Sequence, residues 1–254
     1  MKIHPLSLGT LHMTEEMLYG VGGSPEKPVD SPAWAILIEH PDALVLVDCG
    51  CQQLPQIDPA AEGIYTYRNP DELLTVQLEH LGYTPDDVSH LILTHSHVDH
   101  AGGTALFRKA KIYIDDAEYA GALEDRRAYL AGECPDRPYQ HLTAWDDSLH
   151  FVPVQTPRTR LLPGITLVRF PRGHAYGSLA VVLSGGEQNI IVASDLAYTP
   201  EALTGREPTL VTDLDGYLHG IDLLKALHTE FPGEIWFGHS ADQFRTIAGK
   251  TIVL

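Results

Sequence analysis

Four side chains able to bind a metal ion stand within six residues in Thr94-His95-Ser96-His97-Val98-Asp99-His100-Ala101-Gly102-Gly103. They follow directly on the apolar run Leu91-Ile92-Leu93. Side chains alternate along an extended chain, so His95 and His97 face the same way just past a strand's end. Asp99 and His100 fall where the chain must turn, and the glycine pair permits a tight path there. Imidazole and carboxylate at this spacing suit Zn(II), or Fe, Mn or Co in similar nitrogen and oxygen sites. A His-rich surface loop is the competing reading, but such a loop needs neither a buried strand before it nor Gly-Gly behind it.

Three more metal-competent residues sit just past apolar runs. Ile165–Val168 leads on to Gly173-His174, Ile190–Ala193 to Ser194-Asp195, and Ile235–Phe237 to Gly238-His239. Taken singly, a His or Asp after a strand is more often structural. Taken together, His95, His97, Asp99, His100, His174, Asp195 and His239 are seven candidates. Seven suffice for two metal ions if one carboxylate bridges them and each ion keeps a position for water or substrate. Asp48, after Ala43–Val47, is either a turn residue or the partner of a ligand, and the sequence alone favours the turn.

The elements that must position these residues alternate between strands and helices. Trp34–Ile38 and Ala43–Val47 read as strands joined by the turn His40-Pro41-Asp42. Residues 20–32, rich in Gly and Pro, read as a surface loop. Asn69-Pro70-Asp71-Glu72 predicts a helix start with Asn69 as N-cap, Leu74, Leu78 and Leu81 as its apolar stripe and Gly82 as its stop. Thr84–Asp87 predicts a helical turn, 104–108 a short helix, Lys111–Ile114 a strand and 115–129 a helix. Leu179–Leu183 and Ile190–Ala193 form strands around Ser184-Gly185-Gly186. A helix over 217–231 is expected to bury Leu218, Ile221, Leu224 and Leu227. The whole chain, 1–254, reads as a single domain, with 116–163 as an irregular insertion over the site; its His141 and His150 read as exposed or hydrogen-bonded rather than as ligands.

Composition limits the partners. The formal charge of −17 argues against a nucleic-acid partner, because phosphate binding needs Lys and Arg in excess. Hydrophobic residues at 44% and charged residues at 20% are ordinary for a soluble globular enzyme. Cys49, Cys51 and Cys134 form no disulfide framework and suggest reduced thiols and a cytoplasmic setting. Cys49-Gly50-Cys51 is a weak metal motif, and Cys49 reads better as a buried strand-end residue. Met1–Pro5 opens no signal peptide, and no apolar run is long enough to cross a membrane.

At this point His95-x-His97-x-Asp99-His100, Gly173-His174, Ser194-Asp195 and Gly238-His239, in that order, resemble the metallo-β-lactamase superfamily, over nearly the whole chain from the Asp48 strand to His239. The resemblance implies an α/β (α+β) fold, an αββα sandwich of two mixed sheets flanked by helices. It implies one metal on His95, His97 and His174, another on Asp99, His100 and His239, and Asp195 bridging. It also turns Asp48 into the carboxylate behind a ligand imidazole. True β-lactamases place Cys at the Asp195 position, nucleic-acid-processing members need basic surfaces, and flavo-diiron proteins replace an early His with Glu. Glyoxalase II adds a helical C-terminal domain, for which the 15 residues after His239 leave no room.

Within the superfamily the chain most resembles the N-acyl homoserine lactonase group, because Asp195-Leu196-Ala197-Tyr198 sets Tyr198 three residues after the bridging Asp, and because the length and the ending Phe237–Asp242 are similar. Cys49, where many members have Thr, and Ala175–Ser178, which lacks a second His, depart from it. The implied reaction is opening of a lactone ring by metal-bound hydroxide, with Tyr198 stabilising the oxyanion and Asp99 shuttling a proton. The implied cofactors are two divalent ions, Zn(II) first and Fe, Mn or Co otherwise. The partner is a small lactone or ester, and the chain a monomer or homodimer. Another lactone such as a pyridoxine-breakdown lactone, an aryl ester or a phosphotriester is the rival substrate, and a non-catalytic metal-binding effector the remoter alternative.

Overall fold

Alternation in the strands decides which way the central sheet faces. In the computed structural model, which describes residues 1–51, 65–66, 70–134, 139–186 and 188–254, Ile36, Ile38, Val45 and Val47 enter one core and Ala35, Leu37 and Leu46 another. A period of two with both faces apolar means a sheet covered on both sides. Along the chain the elements are β1 (Lys2–Thr14), α1 (Glu15–Tyr19), β2 (Pro28–His40), β3 (Ala43–Val47), β4 (Tyr65–Thr66), α2 (Leu74–His80), β5 (His90–Ile92) and α3 (Val98–Ala101). Then come β6 (Lys111–Asp115), α4 (Asp116–Leu130), β7 (His150–Val154), β8 (Arg158–Leu162), β9 (Ile165–Phe170), β10 (Ser178–Gly185) and β11 (Gln188–Ser194). The last four are α5 (Leu214–Glu230), β12 (Glu234–Phe237), α6 (Ala241–Ile247) and β13 (Ile252–Val253).

Two mixed sheets result. The first runs β13-β1-β2-β3-β5-β6-β7, with β4 also on β1, and is antiparallel from β13 through β3 and parallel from β3 to β7. The second runs β12-β11-β10-β9-β8, with β12 parallel to β11 and the rest antiparallel. Ile36, Val45, Ile92, Leu167, Val181 and Trp236 fill the space between the sheets. Leu37, Leu46 and Leu91 on the outer face of the first sheet meet Leu74, Leu78 and Ala122 of α2 and α4. Val182 and Ile191 on the outer face of the second meet Ile221, Leu224 and Leu227 of α5. The architecture is the expected αββα sandwich.

Several local expectations change. Residues 28–32 belong to β2 rather than to a loop, with Met13 opposite Val29 and Thr10 opposite Pro32. Their prolines are tolerated because β3 pairs only with Ile36 to His40, which leaves this half of β2 an edge toward β3. The segment 116–163 is no irregular insertion: α4 packs on the first sheet, β7 ends that sheet, and β8 ends the second. Leu218 is 40% exposed, and Tyr217 takes the buried place on α5 instead. Thr84–Asp87 forms its expected turn, closed by a capping box in which the Asp87 carboxylate accepts from the Thr84 N–H. Asn69, expected as a cap, lies outside the described residues, as do 135–138.

Candidate metal centre

Strand direction gathers the site. β3 and β5 run parallel, as do β11 and β12, so their C-terminal ends deliver Asp48, the loop 93–97, Asp195 and His239 to one edge of the sandwich. The β9–β10 loop adds His174. Open sheets place ligand sites beyond the carboxyl ends of parallel strands for this reason. His95 and His97 lie past the end of β5, and Asp99 and His100 on the single turn of α3 rather than in a free turn.

All seven expected ligands meet. The ligand atoms of His95, His97, His174 and Asp195 lie within 4.8 Å of one another, and those of Asp99, His100 and His239 form a second such group. Asp195 stands between them. Its Oδ2 is 3.3 Å from His174 Nε2 and 3.7 Å from His95 Nε2, and its Oδ1 is 3.1 Å from His239 Nε2 and 3.4 Å from His100 Nε2.

The back nitrogens of three imidazoles are taken by acceptors, which fixes the tautomer and turns Nε2 toward the centre. His100 Nδ1 donates to Asp48 Oδ2 at 2.8 Å, His174 Nδ1 to the Leu210 carbonyl at 3.0 Å, and His239 Nδ1 to the Pro32 carbonyl at 3.1 Å. His174 Nε2 and His97 Nδ1 are left 2.9 Å apart. Buried polar atoms are normally hydrogen-bonded. Here His95 Nε2, His100 Nε2 and Asp195 Oδ1 make no hydrogen bond, His95 and His100 approaching Asp195 closely but without bonding geometry, whereas His239 Nε2 bonds its Oδ2 at 3.2 Å. Convergent bare nitrogens and a carboxylate fit divalent cations of the borderline kind.

The electrostatics agree. Burial pushes His95, His97 and His174 below the usual imidazole range, His97 to about 3, so they stay neutral and keep lone pairs. Burial opposes charge on His100 and His239 too, but Asp195 and Asp99 outweigh it and raise both. Burial likewise works against the Asp99 and Asp195 carboxylates, yet His100 and His239 hold both below the ordinary range. A cation at the second group therefore competes with protons.

Asp48 is more than a turn. With φ of +59°, outside the usual range for a non-glycine residue, it accepts from Thr94 N and Thr94 Oγ1 at 2.8 Å each, besides His100. Ser194, with φ of +49°, joins this network through Thr94 Oγ1 at 2.9 Å. Asp48→Asn turns an amide N–H toward one of these donors, and metal retention is expected to fall roughly 10- to 100-fold. Competition against a chromophoric chelator measures it, and unaltered affinity at both positions would count against the role.

Tyr198 is half-buried, its ring between His174 and His239 at 5.3 and 4.9 Å and its hydroxyl 3.4 Å from His174 Nδ1. Burial, then Asp195 and Asp99, raise its pKa well above the phenol range, so it is a proton donor at neutral pH. It lines a narrow pocket of about 20 Å³ with Met17, Leu18, Tyr19, Ala202, Leu210 and Tyr217. That wall comes from α1, the segment after Tyr198 and the first turn of α5. The Cys49 thiol is pushed up to about 12 by burial and donates to the His100 carbonyl at 3.2 Å, so it braces the loop and is no ligand.

Sequence reading missed the residues that hold the ligand loops from afar. Trp34 Nε1 donates to the Gly238 carbonyl at 2.6 Å and Ser31 Oγ to that of His239 at 3.1 Å. His141, buried rather than exposed, is hydrogen-bonded as one of its readings had it, Nε2 to the Ser96 carbonyl at 2.8 Å. Nothing local marks these partners; only the packing of 28–35 and 140–144 against the site reveals them.

Comparison with known proteins agrees with this geometry. Residues 28–234 match the metallo-beta-lactamase superfamily profile. N-acyl homoserine lactonase AiiB of Agrobacterium fabrum is 28% identical over 98% of this chain and 97% of its own. N-acyl homoserine lactonase of Bacillus thuringiensis is 26% identical over 87% of this chain and 86% of its own. Among solved structures, an N-acyl homoserine lactone hydrolase with the product N-hexanoyl-L-homoserine bound at its catalytic metal center superposes with a TM-score of 0.83, at 22% identity, over 99% of this chain and 98% of that one.

Proposed function

The chain belongs to the metallo-beta-lactamase superfamily, and from that premise we propose that it is a two-metal hydrolase that opens lactone rings, those of N-acyl homoserine lactones first. The observation that carries the reading is the meeting of two ligand groups at one carboxylate, Asp195, with a protonated Tyr198 beside them. Full-length similarity to two N-acyl homoserine lactonases supports the substrate class. Five imidazoles and two carboxylates suit Zn(II).

His95, His97 and His174 would hold one ion, Asp99, His100 and His239 the other, with Asp195 shared. When bound, such ions lower the pKa of water and stabilise negative charge developing on oxygen. The chain's own residues do the rest. The Tyr198 hydroxyl donates to the lactone carbonyl oxygen as it gains charge. Asp99, 13% exposed against 4% for Asp195, is the carboxylate with access to substrate; it takes a proton and returns it to the departing alkoxide. Met17, Leu18, Ala202 and Leu210 offer an apolar wall beside the centre against which an acyl chain packs.

Two measurements test this. Homoserine lactones of graded acyl length, assayed beside other lactones, aryl esters and phosphotriesters, should give the homoserine lactones the highest kcat/KM. Preference for another class would replace the substrate assignment. A chelator should abolish hydrolysis, and Zn(II), Co(II) or Mn(II) should restore it; turnover that survives full metal removal would rule the mechanism out. Among the described residues no helix is long and apolar enough to cross a membrane.

A further inference from the structure

Three of the expected ligands of one ion come from two different sheets. His95 and His97 flank Ser96 beyond β5 of the first, and His174 precedes β10 of the second. A hydrogen bond ties Leu179 N to the Thr94 carbonyl at 2.8 Å, but that lies behind the ligands. What sets the spacing at the ligands themselves is a side chain from a third element. Glu118, in the first turn of α4, is 1% exposed, and among the described residues no cation pairs with it. Its Oε1 accepts from both the N–H (2.8 Å) and the hydroxyl of Ser96, and its Oε2 accepts from the N–H of Gly177 at 3.2 Å.

One carboxylate thus holds both loops, one oxygen to each. The rest of the surroundings leaves it no freedom to hold anything else. Ser96 spends every polar group on the same structure, since its carbonyl accepts from His141 Nε2. Asp115 caps α4 by accepting from Ala117 N and Glu118 N, and is itself bound by Arg169 Nε of β9 at 2.6 Å. Gly177 admits no side chain, because a Cβ there would lie 2.2 Å from Asp115 Oδ1. Tyr176 lies over Gly121 of α4 and donates to Asp125 at 3.1 Å. Desolvating a carboxylate is costly unless several donors offset it, and these donors all belong to ligand-bearing loops.

We propose that Glu118 is a positioning residue for the ion held by His95, His97 and His174, fixing the distance between the two loops that carry these imidazoles. The inference rests on the metal reading of the site. Residues that orient ligands without touching the metal typically change its affinity 10- to 100-fold when altered. Glu118 touches neither Asp99, His100 nor His239, so the effect should fall on one ion of the two. A glutamine keeps one acceptor and turns an N–H toward one of the loop donors; it should be intermediate, and alanine worse.

The test uses the full chain loaded with Zn(II), and in parallel with Co(II), for wild type, Glu118→Gln, Glu118→Ala and Ser96→Ala. Metal content after graded dialysis against a chelator and the visible Co(II) spectrum report the two positions separately, and thermal denaturation reports the fold. Glu124→Gln, on the exposed side of α4, controls for damage to the helix. Wild type should retain two equivalents. Glu118→Gln should lose one of them at roughly 10- to 100-fold lower chelator concentration while the other holds. Ser96→Ala, which keeps its backbone N–H, should shift the same ion less, and carries the test if the Glu118 variants do not fold. Loss of both ions together with a lowered thermal midpoint, or retention equal to wild type, would overturn the proposal. A wild-type chain that retains no metal would overturn the metal reading itself, and this inference with it.

Discussion

Asp195→Asn is expected to strip the centre of metal. Asp195 is 4% exposed and, among the described residues, is the one side chain within 3.7 Å of His95, His174, His100 and His239 together. An amide at this position supplies one oxygen where two are needed, and its N–H₂ points at bare imidazole nitrogens on one side. The charge balance also changes. The two proposed divalent ions would bring four positive charges against the two carboxylates Asp99 and Asp195, and halving that negative charge in a buried site is severe because little solvent screens it. Retention should fall by more than the roughly 100-fold that losing a mere hydrogen-bonding partner of a ligand can cost. Hydrolysis should fall with it. The fold should survive, because asparagine keeps the side chain's volume and, without the Asp195 charge, His100 and His239 lose the neighbour that holds them protonated and revert toward the neutral form. Metal content after dialysis, beside the thermal midpoint, separates these effects. A variant that holds both ions at wild-type affinity would contradict the bridging assignment.

What could be read from the sequence depended on how far apart the cooperating residues lie. His95 to His100 are legible because four ligand types within one and a half helical turns follow a buried strand. His174, Asp195 and His239 are legible as strand-end residues, but only because the strands before them are strongly apolar and so easily found. The sandwich follows from the same strands, since β3 and β10 are apolar on both faces. Residues 28–32 were lost to a loop because Gly and Pro dominate locally, whereas the pairing with β1 that makes them a strand is decided twenty residues away. Glu118 illustrates the harder limit. In Asp115-Asp116-Ala117-Glu118 it looks like one more acid favourable to a helix N-terminus. Only the tertiary approach of Ser96 and Gly177 distinguishes it from its neighbour Asp116. The wall of the cavity was unreadable for the same reason: α1 and residues 199–210 are distant in sequence and meet only over the site.

Tyr198→Phe isolates chemistry from structure. The ring packs edge-on between His174 and His239, and Phe keeps that packing. Among the described residues the hydroxyl approaches only His174 Nδ1, weakly at 3.4 Å, and that nitrogen is already satisfied by the Leu210 carbonyl. Removing the oxygen should therefore leave metal content at two per chain and the thermal midpoint within a few degrees. Turnover is another matter. Deleting one donor aimed at a developing oxyanion costs about 3–4 kcal/mol, or roughly 10²- to 10³-fold in kcat. The loss should appear in kcat more than in KM, because the neutral ground-state carbonyl gains less from the donor than the charged one does. Burial and the neighbouring carboxylates hold the phenol protonated well past its ordinary range, so wild-type activity should show no fall from Tyr198 ionisation near pH 10. Steady-state kinetics of both forms on one lactone, with metal content measured on the same samples, decide the matter. Unchanged kcat in a fully loaded variant would remove Tyr198 from the reaction and leave it a wall residue of the cavity.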